Sequence, residues 1–213
     1  MWDFIRERHQ QILYDAFQHV YLVVLAVAVA TVIAVLAATV VSKLPRLAGV
    51  ANTLSAIGLT IPGFALVGLL MPATGIGATT AFICVCFYAI LPILRNAVVG
   101  LSGVDAVLLE SARGMGMGEI AVMLRVRIPL AWPVILAGIR TSLQMSMGIA
   151  AIAAYVIGPG LGGYIFTGLA QIGGKNAVNY ALVGTLGVVV LALALDLVLL
   201  LLGRVTTSKG IRV

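Results

Sequence analysis

Residues Val107–Pro133 read VLLESARGMGMGEIAVMLRVRIPLAWP, a polar interruption set between long apolar stretches. It holds Glu110, the small residues Ser111 and Ala112, Gly116, and a short apolar segment that closes on Pro129. A chain this apolar has few places where charge, glycine and proline gather. Such a loop is where it can meet something soluble.

Outward from the loop, composition sets the class. Of 213 residues, 62% are hydrophobic and only 9% are charged, against roughly 25% charged in a soluble domain. Residues 20–41, 50–71 and 76–94 contain no charge, and 133–157 and 180–203 contain one each, Arg140 and Asp196. Each stretch is long enough to cross a hydrocarbon core of about 30 Å as a helix. The alternation of an outer-membrane barrel strand is absent. The expectation is an all-α integral membrane protein of about five spans, with the polar loop between spans three and four.

The first span exceeds the roughly 7–15 apolar residues of a secretory signal and is followed by no A-x-A-like site. Residues 1–18 place Trp2, Ile5, Ile12 and Ala16 at helical spacing among Asp3, Arg6, Glu7 and Arg8, which fits an interfacial helix or a solvated tail. The division is therefore 1–18 as an N-terminal interfacial segment, 19–205 as the membrane domain with a loop over about 105–130, and 206–213 as a tail.

The net charge of +6 is unevenly spread. Lys43 and Arg46, then Arg95, Arg113, Arg125 and Arg127, then Arg204, Lys209 and Arg212 all fall on one side of a five-span chain. The opposite side has Lys175, with Arg6 and Arg8 diluted by Asp3, Glu7 and Asp15. The positive-inside rule puts the loop and carboxyl terminus in the cytoplasm and the amino terminus outside. The bases flank spans and form no continuous patch, so nucleic acid is not the partner.

Chemistry is sparse. Cys84 and Cys86 point to different sides of one helix and cannot chelate a metal together. His9 and His19 lack partner clusters. No GxxxxGK[ST] occurs, so the chain has no phosphate loop, and Gly114, Gly116 and Gly118 do not sit in a βαβ unit. No metal site and no catalytic residue are expected. A second irregular segment, Gly158–Tyr180 (GPGLGGYIFTGLAQIGGKNAVNY), has turn-forming glycines around a short helix at Tyr164–Gln171.

Glu110-Ser111-Ala112, Gly116 and Val126-Arg127-Ile128-Pro129 together resemble the EAA loop of ABC importer permeases: E-A-A, three residues, G, nine residues, I-x-L-P. Tyr88–Asn96 (YAILPILRN), Gly100–Asp105, Ala112–Met117, Leu130–Arg140 (LAWPVILAGIR), Gly158–Gly162 and Thr60-Ile61-Pro62 resemble the permeases of quaternary-amine (glycine betaine, carnitine, choline) osmoprotectant importers. The resemblance spans roughly 19–205 and implies a methionine-permease-like core. It also implies an ATPase-coupling role for Glu110, Ser111, Ala112, Arg113, Gly116, Met117 and Pro129. It implies a homodimer or a pair with a similar permease in a bacterial inner membrane, two ATP-binding subunits that hold ATP and Mg, and an extracytoplasmic substrate-binding protein. No cofactor belongs to this chain itself.

The loop's physics fits such a knob: a helix from about Val107 to Gly114, a tight turn at Gly116, and a second helix to about Arg125 that Pro129 stops before span four. Glu110 and Arg113 share one face. Candidate pathway-lining residues are the polar ones inside spans: Thr60, Tyr88, Asn96, Ser142, Gln144 and Ser146. Each could instead satisfy a neighbouring helix. Arg140 and Asp196 lie about seven residues from the same membrane face on antiparallel spans. A lone charge there costs at least about 2.5–3.5 kcal/mol, so they are expected to pair or share a polar cluster. An amino-acid or methionine-type ABC permease remains an alternative. An ion-coupled secondary transporter is less favoured, because two intramembrane charges and no internal repeat are meagre support.

Overall fold

The computed structural model describes residues 1–156 and 158–207. Among them there is no strand. The helices are α1 (Trp2–Val41), α2 (Pro45–Thr60), α3 (Gly63–Thr74), α4 (Ala78–Ser102), α5 (Ala106–Gly114), α6 (Glu119–Val122), α7 (Ile128–Ala153), α8 (Gly162–Ala170) and α9 (Ala177–Thr206), with a π turn at Met123–Arg127 and a 3₁₀ turn at Ala154–Val156. Four helices are long and apolar enough to cross a membrane, and the bent pair α2–α3 meets the same criterion when its two halves are taken together, giving four to five spans by length and composition. Residues 208–213 of the expected tail lie outside the described residues.

The centre is the packing of α1, α4 and α7. Ala26, Ala30, Ala34 and Ala38 recur every fourth residue along α1 and are fully buried, a small-residue stripe that lets backbones approach. Water expels nothing inside a bilayer, so close van der Waals contact is what holds such helices. On α4 and α7 the buried residues include Val85, Ala89, Ile93, Ile135 and Met147. Helices α8 and α9 pack on each other and on the flank of α7. Most of α9 beyond Ala177, Gly184 and Val188 faces outward with apolar side chains.

Three expectations are corrected. Residues 1–18 are neither a separate interfacial helix nor a tail: α1 runs unbroken for 40 residues, about 60 Å and twice a hydrocarbon core. Its first turns are held by Phe4, which meets Tyr180 of α9 edge-on at 4.8 Å between ring centroids. The second span is not one straight helix but α2 and α3, bent by 93°. Pro62 has no N–H to donate and pushes Ile61 into an extended conformation, ψ 125°, so α2 must end there. Finally, Pro129 does not stop the second helix of the knob. The helical path runs from Glu119 through the π turn into α7 and on to Val156. A proline in a helix removes one bond and crowds the carbonyl four residues back; the wider π turn lies where Pro129 needs that room.

The chain thus has two ends. The last residues of α1, α4 and α9, the first of α2 and α7, and the knob α5–α6 share one end. The start of α1, helix α8 and the Gly158–Gly160 turn share the other. At the tight entrance to α8, a Cβ on Gly162 would lie 2.2 Å from the Ala151 carbonyl oxygen, so only glycine fits.

Candidate functional site

Helix α5 begins at Asp105, whose carboxylate accepts the Val107 N–H at 2.9 Å, an N-cap. It ends in a Schellman closure. The Gly116 N–H donates to the Arg113 carbonyl at 2.9 Å and the Met117 N–H to the Ala112 carbonyl at 3.2 Å, with Gly116 left-handed at φ +87°. That pair of bonds satisfies carbonyls the helix end would otherwise leave open. The chain reverses through Met117 and Gly118 and enters α6.

The reversal brings Arg113 to Glu119, not to Glu110: Nε donates to Oε1 at 2.8 Å. The hydrogen bond and charge of Arg113 hold the Glu119 carboxyl below the usual carboxylate range, and the same contact raises Arg113. Both side chains are largely exposed. Glu110 points to solvent, Ser111 returns its hydroxyl to the Val107 carbonyl at 2.8 Å, and Ala112 is buried. Pro129 lies exposed at the start of α7.

Sequence reasoning missed two features of the knob. The first is its apolar surface: Val107, Leu108, Met115, Ile120 and Leu124 are exposed, Ile120 by 77%. Apolar residues in such a chain are read as lipid-facing or core, and only the fold shows that these five stay uncovered on the knob. The second is Arg127. Its Nε donates to the Leu101 carbonyl at 2.8 Å and a terminal nitrogen to the Ser42 carbonyl at 3.3 Å. One cation thereby caps the C-terminal ends of α4 and α1, where helix dipoles favour positive charge. Partial burial lowers its pKa from the ordinary guanidinium value. The knob is tied to the two central helices through this side chain and to α7 by continuous backbone.

The six polar candidates separate. Tyr88, Ser142 and Ser146 are buried within the chain. The Tyr88 hydroxyl donates to the Ile61 carbonyl at the α2–α3 break, and Ser142 donates to the Ala89 carbonyl at 2.9 Å, bridging α7 to α4. Tyr88 and Ser142 thus satisfy neighbouring helix backbones, the commoner fate of hydroxyls in membranes, whereas the buried Ser146 hydroxyl has no hydrogen-bond partner among the described residues. Thr60 and Gln144 are exposed and Asn96 is half-buried, so these three remain. Arg140 and Asp196 meet in a bidentate pair, Nε to Oδ1 at 2.9 Å and a terminal nitrogen to Oδ2 at 2.8 Å. Among the described residues no group of three or more His, Cys, Asp or Glu side chains could hold a metal.

A family model described as "Binding-protein-dependent transport system inner membrane component" matches residues 12–207. The chain is 35% identical over 212 residues to the glycine betaine/carnitine/choline transport system permease protein OpuCB of Bacillus subtilis (strain 168), covering 100% of this chain and 96% of that protein. It is 38% identical over 201 residues to the osmoprotectant import permease protein OsmW of Salmonella typhimurium, covering 92% of each. In three dimensions it resembles a chain of the MetNI methionine ABC transporter, with TM-score 0.74, 19% identity, and coverage of 92% of this chain and 96% of that one. That last likeness concerns the fold alone.

Proposed function

The chain belongs to the family of binding-protein-dependent transport system inner membrane components, and from that premise we propose that it is the permease of an ATP-driven importer for a quaternary ammonium osmoprotectant such as glycine betaine, carnitine or choline. The observation that carries the substrate class is similarity along the full length to permeases named for those compounds. A shared loop alone would give only the family. In this reading two copies flank one route, and Thr60, Asn96 and Gln144 are the polar side chains left to face it.

The knob α5–α6 seats in a cleft of a separate ATPase, with the apolar faces of Met115, Ile120 and Leu124 as contact and the Arg113–Glu119 pair as brace. Movement of the knob passes through the unbroken backbone into α7, and through Arg127 into the ends of α1 and α4, so that bundles rock about the pathway. ATP and Mg belong to that partner, and an extracytoplasmic binding protein delivers cargo to the end opposite the knob. The knob end and carboxyl terminus lie in the cytoplasm, the amino terminus outside.

The test is reconstitution with an ATPase and an extracytoplasmic binding protein from the same organism as candidate partners. Radiolabelled choline, carnitine or glycine betaine should enter vesicles only when all components and ATP are present, and the chain alone should hydrolyse no nucleotide. Uptake of methionine in place of quaternary amines, or ATPase activity in the isolated chain, overturns the reading.

A further inference from the structure

At the end opposite the knob, a cavity of about 870 Å³ opens between the outer part of α1, the Gly158–Gly160 turn, α8 and the start of α9. Two opposite charges border it, Arg8 and Asp15, both on α1. Seven residues separate them, so they lie on one face two turns apart, about 10 Å along the axis. Asp15 is half-buried and makes no ion pair among the described residues. Arg8 is held in place over the rings of Phe4 and Tyr180, at 5.2 Å from each centroid.

The walls are aromatic. Tyr155 and Phe166 border the cavity with their planes 62° apart and centroids at 5.4 Å. Phe64 packs edge-on against both; it is placed there by the break at Pro62. Tyr164 also borders the cavity, is 5% exposed, and its hydroxyl has no hydrogen-bond partner. A buried hydroxyl of that kind costs free energy until something bonds it.

We propose that this cavity is a receiving site for the cargo: a trimethylammonium group sits against Tyr155 and Phe166 with Asp15 as its counter-charge, and Arg8 and the Tyr164 hydroxyl take the carboxylate of cargo that has one. Ring faces attract a cation that cannot hydrogen-bond, and the unpaired carboxylate supplies the charge that rings alone lack. The spacing of Arg8 and Asp15 suits a small zwitterion contacted at each end. This assignment rests on the quaternary-amine reading above.

The experiment places a cysteine in the wall, Thr167→Cys, in the full chain in lipid nanodiscs; Cys84 and Cys86 are buried, and the chain without the added thiol gives the background. Modification by a trimethylammonium-ethyl methanethiosulfonate is compared with that by a neutral methanethiosulfonate. The cationic reagent should be favoured roughly fivefold, the factor one counter-charge at contact in water is worth, and Asp15→Asn should remove that preference while leaving the neutral rate unchanged. Choline and glycine betaine should both slow labelling. Arg8→Gln should abolish protection by glycine betaine and spare protection by choline, which has no carboxylate. Equal rates for the two reagents, or no protection by either compound, overturn the site. Uptake of quaternary amines by the reconstituted importer without protection also overturns it and leaves the functional reading standing. Protection without such uptake supports an organic-cation site and removes the functional reading instead.

Discussion

Gly116 is a position where backbone conformation alone makes the demand. Its φ is +87°, and a Cβ there would meet nothing within 4 Å, so a substitution is penalised by strain and not by collision. Left-handed backbone costs an ordinary residue about 1–2 kcal/mol, and a β-branched one more. Gly116→Val should insert normally yet bind the ATPase more weakly or uncouple hydrolysis from uptake, whereas Gly116→Asn, a residue that tolerates this conformation, should retain most coupling. Pull-down and uptake at the unsubstituted level in Gly116→Val would remove the loop from the coupling role. Arg140 and Asp196 make a different demand, on each other. A charge left alone inside a span costs at least about 2.5–3.5 kcal/mol, so Arg140→Asp and Asp196→Arg should each impair assembly or transport, and the double exchange should recover both. A double variant as poor as the two singles combined would show that the contact is dispensable.

At the scale of elements, the broken span and the knob show what proline and glycine accomplish. Pro62 ends α2, and the break leaves the Ile61 carbonyl in need of a donor, which Tyr88 supplies from α4. Tyr88→Phe removes that donor at almost constant shape. It should cost about 1–3 kcal/mol, read as a lower melting temperature in detergent, and transport should fall less than stability does. An unchanged melting temperature would mean that the carbonyl finds another partner. In the knob, Glu119 is held below the usual carboxylate range by Arg113. A lowered folded-state pKa contributes stability that is complete above the unfolded value and is lost as pH falls through the folded one. ATPase affinity should therefore be flat between about pH 6 and 8 as far as this pair is concerned. Glu119→Gln should weaken it across that range and match the unsubstituted chain only in acid. The pair is exposed, so salt should shrink the difference.

For the whole molecule, sidedness is the open quantity that charge distribution addresses. Ile120, exposed on the knob, and Lys175, exposed between α8 and α9, lie at opposite ends. Single cysteines at the two positions should react with a membrane-impermeant thiol reagent from opposite sides: Lys175→Cys in intact cells, Ile120→Cys only after the membrane is opened. The reverse pattern would invert the topology.

The sequence by itself determined the class, the approximate spans, the knob with its glycine, and the matching depth of Arg140 and Asp196. Each is a local property: a run of apolar residues long enough to cross lipid, a residue type that alone tolerates a left-handed turn, or a count of residues from a span's end. Tertiary structure decided the remainder, because it depends on what a segment meets. Whether residues 1–18 continue α1 depends on Phe4 finding Tyr180. That the Tyr88 and Ser142 hydroxyls meet a neighbouring backbone depends on how α4 packs against α7 and the α2–α3 break, and a hydroxyl reads the same wherever it points. Pro129 carries the stop signal of a helix end, yet the turn before it widens to let the helix pass. The partners of Arg127 lie 26 and 85 residues away in sequence, beyond any local periodicity, and only chain ends brought together by packing could supply them.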